Sequence, residues 1–337
     1  MSTEPVIGIT VGDPAGIGPE IVVNALLKQK LNKQHRLVVF ADRAIIEQAF
    51  EYTGIQAEIR EIRNPDEVDF KSGDLHLVND RIITQPVTMG MINAECGRAV
   101  FHYVTQAIHW ALDRRIDAIA TAPLQKESLK QGGCPYLDHT AICKAITQSD
   151  DATTLFIVDQ LRVFFLTRHI PLREISDAIT EDLLLEAIPR CLNYLQQLGF
   201  ADPLLAVAAL NPHGGEDGLF GTEERDTIIP AIEKACARGY RVDGPIPGDS
   251  VFHLAKEGAF QGVLSLYHDQ GHIATKTLDF YRTVSLTLGL PFLRTSVDHG
   301  TAFNIAGQNR ADSTSMVEAI LCAIRYAHSI RNAAGQI

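Results

Sequence analysis

The strongest constraint on the fold is a recurring pattern: short apolar runs that end in Gly, Asp, Asn or His and lead into amphipathic stretches. The runs are VIGIT, RLVVFAD, IDAIATA, VFFLTRH, LLAVAALNPH, GVLSLYHD and VSLTLGL. An apolar run of about four to eight residues bounded by turn formers suits a strand buried on both faces. Alternation of such runs with helical patterns predicts a mainly parallel α/β architecture, in which functional groups gather where strands end. Helices are expected over 19–28, 93–114, 180–198, 223–238 and 313–331. Pro19 in a first turn, Thr180 before Glu181-Asp182 and Thr222 before Glu223-Glu224 are their start signals.

A chain of 337 residues exceeds one ordinary core and predicts two lobes with a cleft between them. No internal repeat or low-complexity linker separates them, so the chain is expected to cross between lobes more than once. Gly132-Gly133-Cys134-Pro135 is the clearest break and Gly289-Leu290-Pro291 a weaker one. These breaks divide the chain into 1–132 plus 290–337 as one lobe and 133–289 as the other.

Composition narrows the function classes. With 46% hydrophobic and 21% charged residues, and no apolar run near the roughly 18 residues of a membrane span, no membrane association is expected. The opening MSTEPVIGITVGDP lacks the basic, apolar and small-residue succession of a targeting signal, which predicts a cytoplasmic location. Six cysteines without a CxxC pair argue against a disulfide framework and a thiolate zinc site. A net charge of −11 repels a phosphate backbone, so nucleic acid is not an expected partner. An anionic ligand would need a few locally placed cations, for which Lys126, Lys276 and Arg294 are candidates.

The most informative chemical pattern is three histidines at run ends: His169 closes VFFLTRH, His213 closes LLAVAALNPH and His268 closes GVLSLYH. Three imidazoles with an open position describe a catalytic divalent-metal site. Histidines that merely cap strand ends or pair with carboxylates would give the same pattern. Imidazoles from two subunits are equally compatible with it.

Two polar loops stand out near the ends of the chain. Val11-Gly12-Asp13-Pro14-Ala15-Gly16-Ile17-Gly18-Pro19-Glu20 follows an apolar run and precedes a helix start, where exposed amides could cradle an anion. It is neither a GxxxxGK[ST] nor a GxGxxG loop, which disfavours a standard Rossmann site, and a plain structural turn is the competing reading. The segment from Arg294 to Gly307, RTSVDHGTAFNIAG, is dense in polar groups and reads as a recognition loop. Its competing reading is local pairing of Asp298 with Arg294.

GDPAGIGPE, TAPLQKESL, DHT, TRHIPL, LNPHGGEDG, GTEERDTIIPAI, GPIPGDSVF, YHDQGH and GLPFLRTSVDHGTAFNIAG, in this order, span nearly the whole chain. Together they resemble the 4-hydroxythreonine-4-phosphate dehydrogenase family, a branch of the isocitrate and isopropylmalate dehydrogenase-like fold. The resemblance implies an NAD-dependent, metal-assisted oxidation and decarboxylation of a four-carbon 4-phosphorylated hydroxy acid, such as 4-phosphohydroxy-L-threonine in pyridoxal phosphate biosynthesis. HDQGHIATKTLDF looks closer to the branch acting on 4-phospho-D-threonate or 4-phospho-D-erythronate, which would give dihydroxyacetone phosphate and carbon dioxide. A phosphate acyltransferase of similar fold and a non-catalytic binding protein are the more distant alternatives.

Residue by residue, the resemblance places the divalent metal (zinc, magnesium, manganese or cobalt) on His169, His213 and His268, shared across a homodimer interface. Substrate contacts fall on His139, Thr140, Lys276 and Arg294, and on Ser285 where the family usually has asparagine. DHGTAFNIAG resembles the loop that embraces the adenosine end of NAD, giving Asp298, His299, Gly300 and Asn304 as cofactor contacts. Asn304 stands where an acid is usual, which leaves NADP open as an alternative. Residues 1–132 with 290–337 become the dinucleotide lobe, and 133–289 the metal, substrate and interface lobe. Lys276 is the candidate for phosphate or carboxylate binding and, if desolvated, proton transfer. Asp249 and Asp269 are candidates for orienting a metal-bound imidazole or moving a proton, with turn or helix capping as their ordinary alternative.

Overall fold

The computed structural model describes residues 4–334, which divide into two compact units, 4–152 with 284–334 and 153–283. The first unit opens with β1 (Val6–Thr10), β2 (Arg36–Ala41), β3 (Ile59–Glu61), β4 (Leu75–Asn79) and β5 (Ala118–Thr121). The second holds β6 (Thr153–Val158), β7 (Leu161–Phe165), β8 (Leu205–Ala208), β9 (Val242–Ile246) and β10 (Gly262–Ser265). The chain then returns to the first for β11 (Val284–Leu288) and β12 (Leu293–Val297). Every apolar run singled out in the sequence contains a strand.

In the first unit the strands lie in the order β3-β4-β2-β1-β5-β12-β11, parallel throughout except for β11 against β12. In the second the order is β6-β7-β10-β8-β9, and only β6 against β7 is antiparallel. Parallel neighbours need long crossovers, and the helices supply them. Helix Ala94–Leu112 packs on β1, β2 and β5, and helix Thr314–Ala334 on β1, β5 and β12. Covered on both sides, β1 and β5 are buried along their whole length. The second unit has a core of its own, built on Val163, Ala206, Val263 and Phe260. Among the described residues no helix is long and apolar enough to cross a membrane.

The division differs from the one expected at residues 132 and 289. Residues 133–152 group with the first unit because helix His139–Thr147 packs on helix Ala94–Leu112. Residues 284–289 join it because β11 is hydrogen-bonded to β12. The Gly132-Gly133 break is only a local turn, closed by the Cys134 amide donating to the Leu129 carbonyl.

One further expectation is corrected, and the structural-turn reading of the glycine-rich loop is borne out. Arg294 to Val297 is not loop but the buried strand β12, whose polar side chains find partners on its neighbours. The glycine-rich turn offers no row of exposed amides: residues 11–20 are all buried. The amides of Asp13, Ala15, Gly16 and Ile17 donate to Pro123 O, Asp13 Oδ1, Asp13 O and Thr301 O. Gly12 turns the chain at φ +69°, where a Cβ would collide with the Pro123 carbonyl, and a Cβ on Gly18 would collide with that of Val11. The turn is a tightly packed corner.

Candidate active site

Parallel strands present their C-terminal ends on one edge, and β7, β10 and β8 are consecutive neighbours in the second unit. His169, His268 and His213 follow these three strand ends in turn. His169 and His268 come together, with ring centroids 5.9 Å apart, and line a cavity of about 220 Å³ with Arg168, Ile170, Tyr267 and Asp269. Two imidazoles bound to one ion through nitrogens at about 2 Å would place their ring centres roughly 5–6 Å apart, so the pair fits shared coordination. Asp269 Oδ1 lies 2.7 Å from His268 Nδ1, the relation by which a carboxylate orients a ligating imidazole and leaves Nε2 outward.

His213 lines a second cavity of about 380 Å³ that shares Tyr267 and Asp269 with the first and adds Asp249 and Gln270. Among the described residues no three His, Cys, Asp or Glu side chains gather closely enough to hold one ion. Within one chain, therefore, the structure pairs two of the three predicted histidines and leaves His213 in the neighbouring cavity, exposed.

The backbone carrying His213 is unusual. His213, Gly214, Gly215, Glu216 and Asp217 all have positive φ, with His213 at 55°. Such strain in non-glycine residues persists only when the surroundings enforce it. The residues leading into this run are held by Glu224, 2% exposed, whose carboxylate accepts from the Leu210 and Asn211 amides at 2.8 and 2.7 Å and from Asn211 Nδ2 at 2.8 Å. Glu223 accepts a further bond from Asn211 Nδ2 at 2.7 Å and one from Ser176. Gln270 ties the neighbouring strand ends, accepting from the Leu266 amide and donating to the Ala209 carbonyl. None of these bracing roles was expected; the pair Glu223-Glu224 read only as a helix start.

Helix His268–Leu278 sets His268, His272 and Lys276 at four-residue spacing, which puts them along one face. His272 stacks on Phe165 at 4.8 Å and stands 4.1 Å from the His268 ring. The Lys276 ammonium lies 5.3 Å from the centre of the Phe280 ring.

The remaining predicted substrate residues belong to the first unit. Register pairs Ser285 with Ser296 and Thr287 with Arg294 across β11 and β12, and Ser296 with Thr121 across β12 and β5. Cross-strand partners share a face, so these groups form one polar strip. Arg294 is 6% exposed and forms no ion pair among the described residues; its guanidinium donates to Thr121 Oγ1 and Thr287 Oγ1. Burial lowers its pKa. His139, at the first turn of helix His139–Thr147, is buried with Nε2 lacking any hydrogen-bond partner. Burial and, secondarily, the Arg294 charge hold it neutral, its pKa well below the usual imidazole value. Thr140 follows in the same turn, after the Asp138 side chain that caps the helix by accepting from the Ala141 amide at 2.9 Å. A buried guanidinium, an orphaned imidazole nitrogen and a helix N-terminus are groups of the kind that can hold an oxyanion.

Past β12, Asp298 and His299 are half-buried, while Gly300 and Asn304 are exposed; His299 Nδ1 lies 3.1 Å from the Gly300 carbonyl, and a Cβ on Gly300 would meet nothing within 4 Å. The loop rests on the glycine-rich corner through Thr301.

Residues 33–323 match the family described as "Pyridoxal phosphate biosynthetic protein PdxA". A Clostridium botulinum protein named as a D-threonate 4-phosphate dehydrogenase is 47% identical over 97% of this chain and 98% of its own length. Among solved structures, the 4-hydroxythreonine-4-phosphate dehydrogenase of Klebsiella pneumoniae is similar with a TM-score of 0.88 at 37% identity, covering 96% of this chain and 99% of its own. That of Burkholderia phymatum gives 0.85 at 38%, with the same coverage. The chain belongs to the PdxA family.

Proposed function

We propose that the protein is an NAD-dependent, divalent-metal-assisted dehydrogenase that oxidises and decarboxylates a four-carbon 4-phosphorylated hydroxy acid. 4-Phospho-D-threonate is the first candidate, because the 47%-identical relative carries that substrate in its name. 4-Phosphohydroxy-L-threonine is the second, on the names of the solved relatives. Ser285 supports the first choice: a hydroxyl reaches less far than the asparagine amide usual in the family and makes different hydrogen bonds.

In this reading Arg294, His139 and Thr140 hold the phosphate, the planar guanidinium supplying paired donors in a site from which water is excluded. The neutral imidazole offers a hydrogen bond without adding charge. His169 and His268, with His213, hold the ion, and Asp269 keeps the His268 ring turned toward it. When bound, the divalent ion supplies acidity to the substrate hydroxyl and the nicotinamide accepts hydride. Oxidation at the carbinol carbon leaves a β-keto acid. Its carboxylate then departs as carbon dioxide, and the electron pair left on carbon is protonated to give the ketone. Lys276, which shares a helix face with His268, binds the carboxylate or supplies that proton. Asp249 is the alternative proton donor beside His213. Asp298, His299, Gly300 and Asn304 receive the adenosine end of the dinucleotide. Because Asn304 brings no negative charge, NADP remains the runner-up cofactor.

One observation carries the proposal: the His169–His268 pair, 5.9 Å apart at neighbouring strand ends with Asp269 behind it. The test compares NADH formation from 4-phospho-D-threonate, 4-phospho-D-erythronate and 4-phosphohydroxy-L-threonine at matched metal concentration. The expected result is turnover of the first that disappears on chelation and in His268→Ala. Turnover that survives both would remove the metal from the mechanism, and none from any of the three would overturn the substrate class.

A further inference from the structure

A cavity of about 580 Å³ in the first unit, outside the groups described above, is lined by Glu61, Arg63, Asn79, Asp80, Arg81, Gln106, Trp110 and Arg115. It lies between the segments that end β3 and β4 and the helix Ala94–Leu112. Its lining is mostly polar, and three of its side chains are guanidinium groups. Glu61 is already neutralised, with Arg43 Nη1 and Arg81 Nη2 each 3.3 Å from its carboxylate and Asn79 Nδ2 at 3.1 Å. Arg63 and Arg115 therefore add positive charge without carboxylate partners of their own in the wall. In a chain with a net charge of −11 this is a local reversal of sign.

The second observation is Asp80. Its side chain is 3% exposed, yet Oδ2 has no hydrogen-bond partner. Gln106 is its neighbour within the wall, and His102 Nε2 stands 3.6 Å from Oδ1. Burial and the nearby Asp42 carboxylate push its pKa up to about 7, so its ionised form is penalised. A buried carboxyl oxygen without a partner is costly, and a ligand hydroxyl or amino group donating to it would remove that cost. The cavity thus presents guanidinium donors for an oxyanion beside an acceptor for a donor group.

We propose that this cavity is a second ligand site, separate from the substrate residues, for a small polyol or amino compound bearing a phosphate or carboxylate. Arg63 and Arg115 bind the oxyanion, and Asp80 reads the hydroxyl or amino group. The oxyanion's two sources, phosphate ester and carboxylate, differ in charge and are separated by the probes below.

The site carries its own reporter. Trp110 is the single tryptophan of the chain, and the Arg115 guanidinium lies 3.6 Å above its ring while also donating to the Arg63 carbonyl. An anion that engages Arg115 alters the charge over the indole. The experiment titrates glycerol 3-phosphate and, separately, malate into the full-length protein while following tryptophan emission and the thermal midpoint. A saturable emission change with one of them is expected, weakened about tenfold or more in Arg63→Gln and in Asp80→Asn and retained in Arg294→Gln. Emission and midpoint that respond to neither probe would overturn the proposal. So would a response that Arg63→Gln and Asp80→Asn leave intact, or one that Arg294→Gln abolishes, since the effect would then come from the substrate residues.

Discussion

Asp13 is the buried acid whose protonation most directly marks the packed corner. It is fully buried, Oδ1 accepts from the Ala15 amide, and Oδ2 has no partner. Burial pushes its pKa up to about 6, against the lowering effect of the Ala15 and Ser128 hydrogen bonds. A folded-state value above the unfolded one means that the native protein holds more protons between about pH 4 and 6. Stability from this group is therefore greatest in acid and falls as pH rises through that window. Asp13→Asn keeps the Oδ1 acceptor and removes the titration. Measured by denaturant unfolding, its stability relative to the parent should rise by up to about 3 kcal/mol from pH 4 to 7, at about 1.4 kcal/mol per pKa unit. A flat difference would show that Asp13 is not raised. The sequence marked this residue only as part of a glycine-rich turn, because burial of a carboxylate is a property of what folds over it.

Elements show how far the sequence could be read. Strand ends were legible: the apolar runs located β7, β8 and β10, and with them His169, His213 and His268. Three of the missed strands are short, polar or interrupted, and β4 and β6 were missed as well. β9 contains Gly244-Pro245, β3 has only three residues, and β12 carries Arg294, Thr295 and Ser296 inward. A polar strand reads as a loop unless its partners are known, and those partners, Thr121 and Thr287, lie on other strands. The loop holding His213 was equally opaque, since the residues leading into it are held by Glu224. Glu224→Gln replaces an acceptor of three donors by a group that turns an N–H₂ toward one of them. It should cost about 1–3 kcal/mol of stability. If His213 holds a divalent ion as proposed, loosening the segment before it should also weaken that ion's affinity, about 10–100-fold in a calorimetric titration. If stability falls and affinity does not, Glu224 only braces the loop.

At the scale of the whole molecule, the second unit exposes apolar side chains around its two cavities. Leu172 is 75% exposed, Leu219 71%, Ile273 66% and Phe220 48%. Leu172 lies in the wall of the His169–His268 cavity and Ile273 in that of the His213 cavity, while the Phe220 ring stands 6.3 Å from His213. In the homodimer that the family resemblance implies, this apolar surface would be covered and His213 of one subunit would complete the pair of another. That arrangement has a distinctive consequence. His169→Ala and His213→Ala should each abolish NADH formation alone. When the two variants are co-expressed and associate at random, half of the dimers are mixed. Each mixed dimer then has one site with all three imidazoles intact and one with two missing, so activity should return to roughly a quarter of the parent value. If all three ligands come from one chain, no mixed dimer contains an intact site and activity stays at zero. Leu219→Asp, which places a charge in the same apolar surface, should halve the sedimenting mass and prevent the rescue.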